Sequence, residues 1–204
     1  IYAPRVLDAL PVDYTDKERE IRTTLDTYIS SREKKTDDDE DRVVGRFVHQ
    51  LLRKRLASSP AAFATTFEKH VATLEGRAEK KGSRKKIDDR ILRRKIAKTQ
   101  EDYSDDDARE QAEIDALEEA NSSARPLADE ERGLLNTLRN WAQSAAQRTD
   151  TKAEAVMAWL DENLKQGDDW SDRRVIIFTE YRTTQTWMLE ILATRGYGGD
   201  RLQV

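Results

Sequence analysis

Cysteine is absent from this chain of 204 residues, which excludes disulfide bonds and thiolate metal sites. Histidine is scarce. His49 and His70 alone cannot anchor a typical zinc site; both stand beside apolar stripes and read as ordinary boundary residues, not catalytic groups. No apolar run approaches the roughly 20 residues that a membrane-spanning helix needs, so no membrane partner is expected. The start, Ile1 to Arg5, shows neither an initiator Met nor a signal-peptide pattern. The G-x-x-x-x-G-K-[ST] loop is also missing, so no segment is built to cradle the phosphates of ATP. The acidic groups Asp88-Asp89 and Asp105-Asp106-Asp107 lack a partnering histidine or metal-ligand spacing. They read as helix-start and surface charges.

Charge, by contrast, is abundant and balanced. Charged and apolar residues each make up 37% of the chain, and 36 Lys+Arg against 40 Asp+Glu leave a net charge of −4. This composition suits long, solvent-washed helices better than a compact sheet protein, and the length allows one sizeable core or two small ones. The chain ends on Arg201-Leu202-Gln203-Val204 as an apolar alternation begins; both ends are therefore expected to be cuts inside a longer protein.

Residues 6–13 alternate loosely and suit a short edge strand, where Pro11 is tolerated. Thr15 and Glu18 form a capping box that opens a helix with Ile21, Leu25, Tyr28 and Ile29 on one stripe. Residues 34–41 read as a solvated loop. A second helix over 40–57 carries Val43, Val44, Phe47, Val48, Leu51, Leu52 and Leu56, the widest apolar face in the chain, and is placed at the centre of the helical core. Ser59 as N-cap and Pro60 at the first helical position open a third helix, with Phe63, Phe67, Val71 and Leu74 inward. Asn121 to Pro126 reads as a linker. Asp129 then caps a helix bearing Leu134, Leu135, Leu138 and Trp141, and Thr151 with Glu154 caps another bearing Val156, Trp159, Leu160 and Leu164. After Gly167 the period changes. Arg174 to Phe178 is a continuous apolar run of the buried parallel-strand type. A helix over 182–195 follows, with Trp187, Leu189, Ile191 and Leu192; glycines at 196, 198 and 199 end it, and a second strand begins at Leu202. Trp141, Trp159 and Trp187 read as core, and Trp170 as half exposed.

Two features can carry chemistry. The turn from Phe178 to Thr184 offers hydroxyls and free amides at a helix start, a natural phosphate seat that Arg182 can strengthen, although Ser and Thr stand at such places simply as caps as well. The basic stretch over 77–98, including Arg84, Lys85, Lys86, Arg93 and Arg94, can follow a nucleic-acid backbone without reading its sequence. The favoured reading is plainer: a solvated helix paired as a hairpin with the acidic stretch over 101–110. Arg53, Lys54 and Arg55 are similarly ambiguous, with at least one expected to face water.

Arg174-Val175-Ile176-Ile177-Phe178-Thr179-Glu180-Tyr181, followed by Trp187, Leu189 and Leu192, resembles motif IV of superfamily-two helicases. In that motif the first strand of the second RecA-like lobe leads into a helix. The likeness points to the Swi/Snf-like branch and within it to the bacterial HepA/RapA type. Leu51 to Phe63, with its Arg-Leu-Ala-Ser-Ser-Pro run, resembles the helical insertion between the lobes in HepA-like proteins; residues 5–21 resemble the exit from the first lobe, and Thr151 to Glu154 the segment that precedes the second. In the family, motif IV helps grip the nucleic-acid backbone, which carries over to Thr179, Tyr181 and Arg182 as candidate phosphate contacts.

The resemblance implies residues 1–14 as the exit of the first motor lobe, 15–125 as a helical insertion, 126–170 as helices leading into the second lobe, and 171–204 as its truncated start. The fold expected is mainly α, a helical bundle with a small strand-helix-strand element at the C-terminal end. The function implied is that of an interlobe coupler in an ATP-dependent helicase or translocase acting on DNA or RNA, cytoplasmic and nucleoid-associated. ATP and magnesium would belong to the full-length parent and not to these residues, which would be inert alone. The alternative is a helical module that binds a protein partner. An exposed strand over 175–178 would pair with residues near 202–204, with the N-terminal strand, or across a homodimer.

Overall fold

The computed structural model describes residues 6–34, 39–79, 89–99, 105–166 and 169–204. The fold is a mainly α bundle. Its helices are α1 (Asp16–Lys34), α2 (Asp39–Ser58), α3 (Pro60–Glu79), α4 (Asp89–Lys98), α5 (Asp106–Ser123), α6 (Asp129–Ala145), α7 (Thr151–Leu164) and α8 (Arg182–Thr194). A two-residue hairpin, β1 (Lys165–Gln166) against β2 (Asp169–Trp170), and one 3-10 turn at Gly199–Arg201 complete the described elements.

The helix starts follow local chemistry. Thr15 and Glu18 close the expected box, with the Thr15 amide donating to Glu18 at 2.7 Å and the Glu18 amide to the Thr15 hydroxyl at 3.3 Å. Ser59 accepts the Ala62 amide at 3.1 Å and Pro60 begins α3, as expected. Two other caps shift by one residue. The N-cap of α7 is Asp150, which accepts from the Ala153 amide at 2.7 Å, and Thr151 is already helical. At α6 the cap position is Ala128, and Glu131 reaches back to its amide at 2.9 Å. Gly196, at φ 84°, ends α8 by letting the Tyr197 amide return to the Leu192 carbonyl at 2.9 Å.

Two apolar cores result. The larger joins Ile21, Leu25, Tyr28 and Ile29 of α1 to Leu51 and Leu52 of α2, Phe63, Phe67 and Val71 of α3, Leu117 of α5, and Leu135 and Leu138 of α6. The smaller joins Ala153, Met157 and Leu160 of α7 to Trp187, Ile191 and Leu192 of α8, closed by Tyr197. The seam falls at 146–150, and the 124–128 loop stays tied to the larger core: Arg32 donates to the carbonyls of Arg125 and Pro126, and Arg125 to that of Ser31. The centre of the bundle is α3, not α2, since α3 packs against α2, α5, α6 and α8. The width of an apolar face misjudged this. On α3 the small or polar Ala62, Thr66 and His70 are buried as fully as the phenylalanines, so more than one side of the helix is covered.

The strands differ from expectation. Residues 6–15 and 173–179 carry no ladder, and Val6, Leu7, Ile176 and Phe178 are exposed. A strand of the buried parallel type needs neighbours on both sides, and the described residues supply only the two-residue hairpin. At the C-terminal end, residues 202–204 follow the 3-10 turn without forming the expected second strand, and Leu202 packs on the smaller core. Trp159 is also exposed: Ala153, Met157 and Leu160 set the inward phase of α7 and leave it outside.

Candidate functional site: an ionic node under the start of the last helix

Arg53, Lys54 and Arg55 part company because successive helical residues point about 100° apart. Arg53 turns outward to Asp26 at 2.8 Å and Lys54 to Glu180 at 3.0 Å. Arg55 stands three and four residues after Leu52 and Leu51, so it follows them inward and is fully buried. A buried guanidinium must be paired. It donates to Glu110 and, at 2.7 Å, to Glu113, both on α5, and it lies 3.8 Å from the centre of the Tyr181 ring.

Glu110 in turn caps α8. Its carboxylate accepts from the Thr183 amide at 3.2 Å and the Thr183 hydroxyl at 2.7 Å, filling a place where a helix start favours an anion. Burial raises the pKa of both carboxyls. At Glu110 the Thr183 hydrogen bond and the Arg55 charge outweigh it, and the carboxyl sits below its ordinary value. At Glu113 burial prevails over Arg55 and the carboxyl sits above. The Thr184 hydroxyl shares hydrogen bonds with Ser58 at 2.7 Å and Ser59 at 2.8 Å, and Arg109 donates to the Glu180 carbonyl. Helices α2, α3, α5 and α8 therefore meet at one node.

The candidate phosphate contacts fall in different places. Tyr181 is buried beneath Arg55, and the Thr179 hydroxyl is turned to the Tyr181 carbonyl at 3.3 Å. Arg182 is exposed beside Gln185, with its Nε 3.9 Å from Asp107. It borders a shallow, open depression together with Glu110, Thr183 and Thr186. Arg93 and Arg94 are exposed on α4, away from this turn. Arg84, Lys85 and Lys86 lie outside the described residues. The α4–α5 pair does pack side by side, with Lys95 of the basic run on Glu119 at 2.7 Å, beyond the acidic run, while Glu110 of the acidic run serves Arg55. Residues 101–104 lie outside the described residues.

Sequence reasoning missed Glu110, which read as one of many surface acids, and Arg55, whose spacing from Leu51 and Leu52 was the available signal. The histidines also differ from expectation. His70 is fully interior, its Nε2 2.7 Å from the Tyr28 hydroxyl, and burial, with Arg32 and His49 nearby, pulls its pKa down to about 3. His49 is buried too, against Glu33 at 3.0 Å.

Among the described residues no group of acids and histidines is placed to hold a metal, and no helix is long and apolar enough to cross a membrane. No family model, no curated protein and no solved structure matches the chain.

Proposed function

We propose that the chain is the helical coupler between the two motor lobes of an ATP-driven nucleic-acid translocase of the Swi/Snf-like branch. One observation carries this reading. The two stretches that resemble the family, Arg55 to Pro60 and Arg174 to Tyr181, are far apart in sequence and meet in space: Arg55 lies on the Tyr181 ring at 3.8 Å, and Ser58 and Ser59 share hydrogen bonds with Thr184 at 2.7 and 2.8 Å. In such a machine the helix after the first strand of the second lobe has to transmit the closing movement. A buried guanidinium shared by α2, α5 and α8 makes those helices move together. ATP and magnesium would be held by the lobes, and DNA or RNA would be gripped jointly by the lobes and the outward Arg182, in the cytoplasm at the nucleoid.

The test is the uninterrupted gene. Its full product is expected to contain a phosphate-cradling loop before residue 1 and an arginine-bearing motif after residue 204, and to hydrolyse ATP faster when duplex DNA or RNA is added. Absence of that loop overturns the reading. A competing reading, a protein-interaction module without a nucleic-acid role, draws on the Thr183 amide being already filled by Glu110. Failure of the full product to bind duplex at either low or moderate salt favours that module.

A further inference from the structure

The run from Arg174 to Phe178 remains unexplained by packing within the molecule. Its exposure alternates, with Val175 at 38%, Ile176 at 78%, Ile177 at 41% and Phe178 at 89%, the period of an extended chain. No backbone group of residues 174–178 is hydrogen-bonded to another described residue. Neither residues 202–204 nor residues 6–13 pair with it. Over 174–178 the edge is unpaired and apolar, a template for another strand. At its far end the Glu180 carbonyl accepts from Arg109, and the Glu180 carboxylate, 3.0 Å from Lys54, would be shared with an incoming cation.

The charges at its ends select which strand. Parallel pairing with a second copy would set Arg174 beside Arg174 and Glu180 beside Glu180. Antiparallel pairing about Ile177 sets Arg174 opposite Glu180 at both ends, Val175 opposite Thr179, Ile176 opposite Phe178, and Ile177 opposite its own copy. A slip of two residues one way brings Asp172 opposite Glu180, and the other way Arg174 opposite Arg182. Like charges directly opposite are destabilising and unlike charges stabilising, so the sequence disfavours both slips.

We propose that two copies of this chain associate through residues 174–180, antiparallel and in the register centred on Ile177. The ribbon is short compared with a standard protein interface, so the association is weak and concentration-dependent. It needs only the open edge of this chain and competes with the translocase reading, in which neighbouring strands of the second lobe would cover residues 174–178 in the full product.

Sedimentation of the 204-residue protein over a concentration series tests it. Arg174→Glu and Glu180→Arg are each expected to weaken association roughly tenfold, and the double swap to restore it to within about twofold. The absence of cysteine supplies a second readout. Paired residues sit within disulfide reach, so Ile177→Cys should form a covalent dimer under diamide faster than Phe178→Cys, and faster than Thr65→Cys on the exposed side of α3. A protein that stays monomeric at every concentration, a double swap that does not recover, or equal cross-linking at the three positions overturns the proposal.

Discussion

At the scale of single residues, two buried polar side chains decide most. Arg55 has no exposed surface and is held by Glu110, Glu113 and the Tyr181 ring. Arg55→Met fills a similar volume but strands two inward carboxylates, so it should lower stability by about 3–5 kcal/mol, read from the urea midpoint. Adding Glu110→Gln and Glu113→Gln should recover part of that loss, because the uncompensated charges go. His70 governs pH dependence. Its folded pKa, about 3, lies below the ordinary 6.5. Above pH 6.5 both states are neutral and nothing is lost. As pH falls below 6.5 the unfolded chain takes up a proton that the folded chain refuses, and stability declines until about pH 3. At pH 5 the loss is about 2 kcal/mol, and His70→Gln should remove this part of the decline when urea midpoints at pH 7 and pH 5 are compared.

At the scale of elements, Glu18 is the economical part. One carboxylate accepts from the Thr15 amide at 2.7 Å and the Thr151 amide at 3.0 Å, so it serves the starts of both α1 and α7. Burial opposes its ionisation, but hydrogen bonds from Thr15 and Thr151 outweigh it and bring the pKa to about 2. A single cap contributes about 1 kcal/mol, so Glu18→Ala should cost about 2 kcal/mol where Asp16→Ala, exposed in the same turn, should stay within about 0.5 kcal/mol. Thermal unfolding of the two variants checks the contrast. A lowered carboxyl stabilises above its unfolded pKa and loses that contribution as pH falls. The Glu18 share should therefore vanish between about pH 4.5 and pH 2.

At the scale of the whole molecule, the two cores differ in depth. The α1–α6 core contains Phe63, Phe67, Tyr28 and many leucines, whereas the α7–α8 core rests on few large side chains around Trp187. Regions with few buried apolar contacts open first. Amides of α8 should therefore exchange with deuterium through lower-energy openings than those of α3. In Arg55→Met the gap should widen, because the tie between the cores is cut while the α8 contacts with α7 remain. Equal acceleration in α3 and α8 would mean that Arg55 supports the bundle generally and does not join its two parts.

The sequence by itself determined the helices, the Thr15–Glu18 box, the Ser59–Pro60 start, and the inward stripes of α1 and α3, because these depend on neighbours within a turn or two. It also put an apolar run at 174–178 and a basic run before an acidic one. Only the tertiary structure decided that Arg55 is interior and that Glu110, one acid among many, closes the phosphate-like seat at α8. The same holds for the strand-like runs, which find no ladder among the described residues. Helical hydrogen bonds and caps are made inside a segment, so local sequence suffices for them. A buried charge needs a partner remote in the chain, as Glu110 is for Arg55. A strand needs a neighbour outside its own segment, which 174–178 does not find among the described residues. Such partners are not written in local pattern.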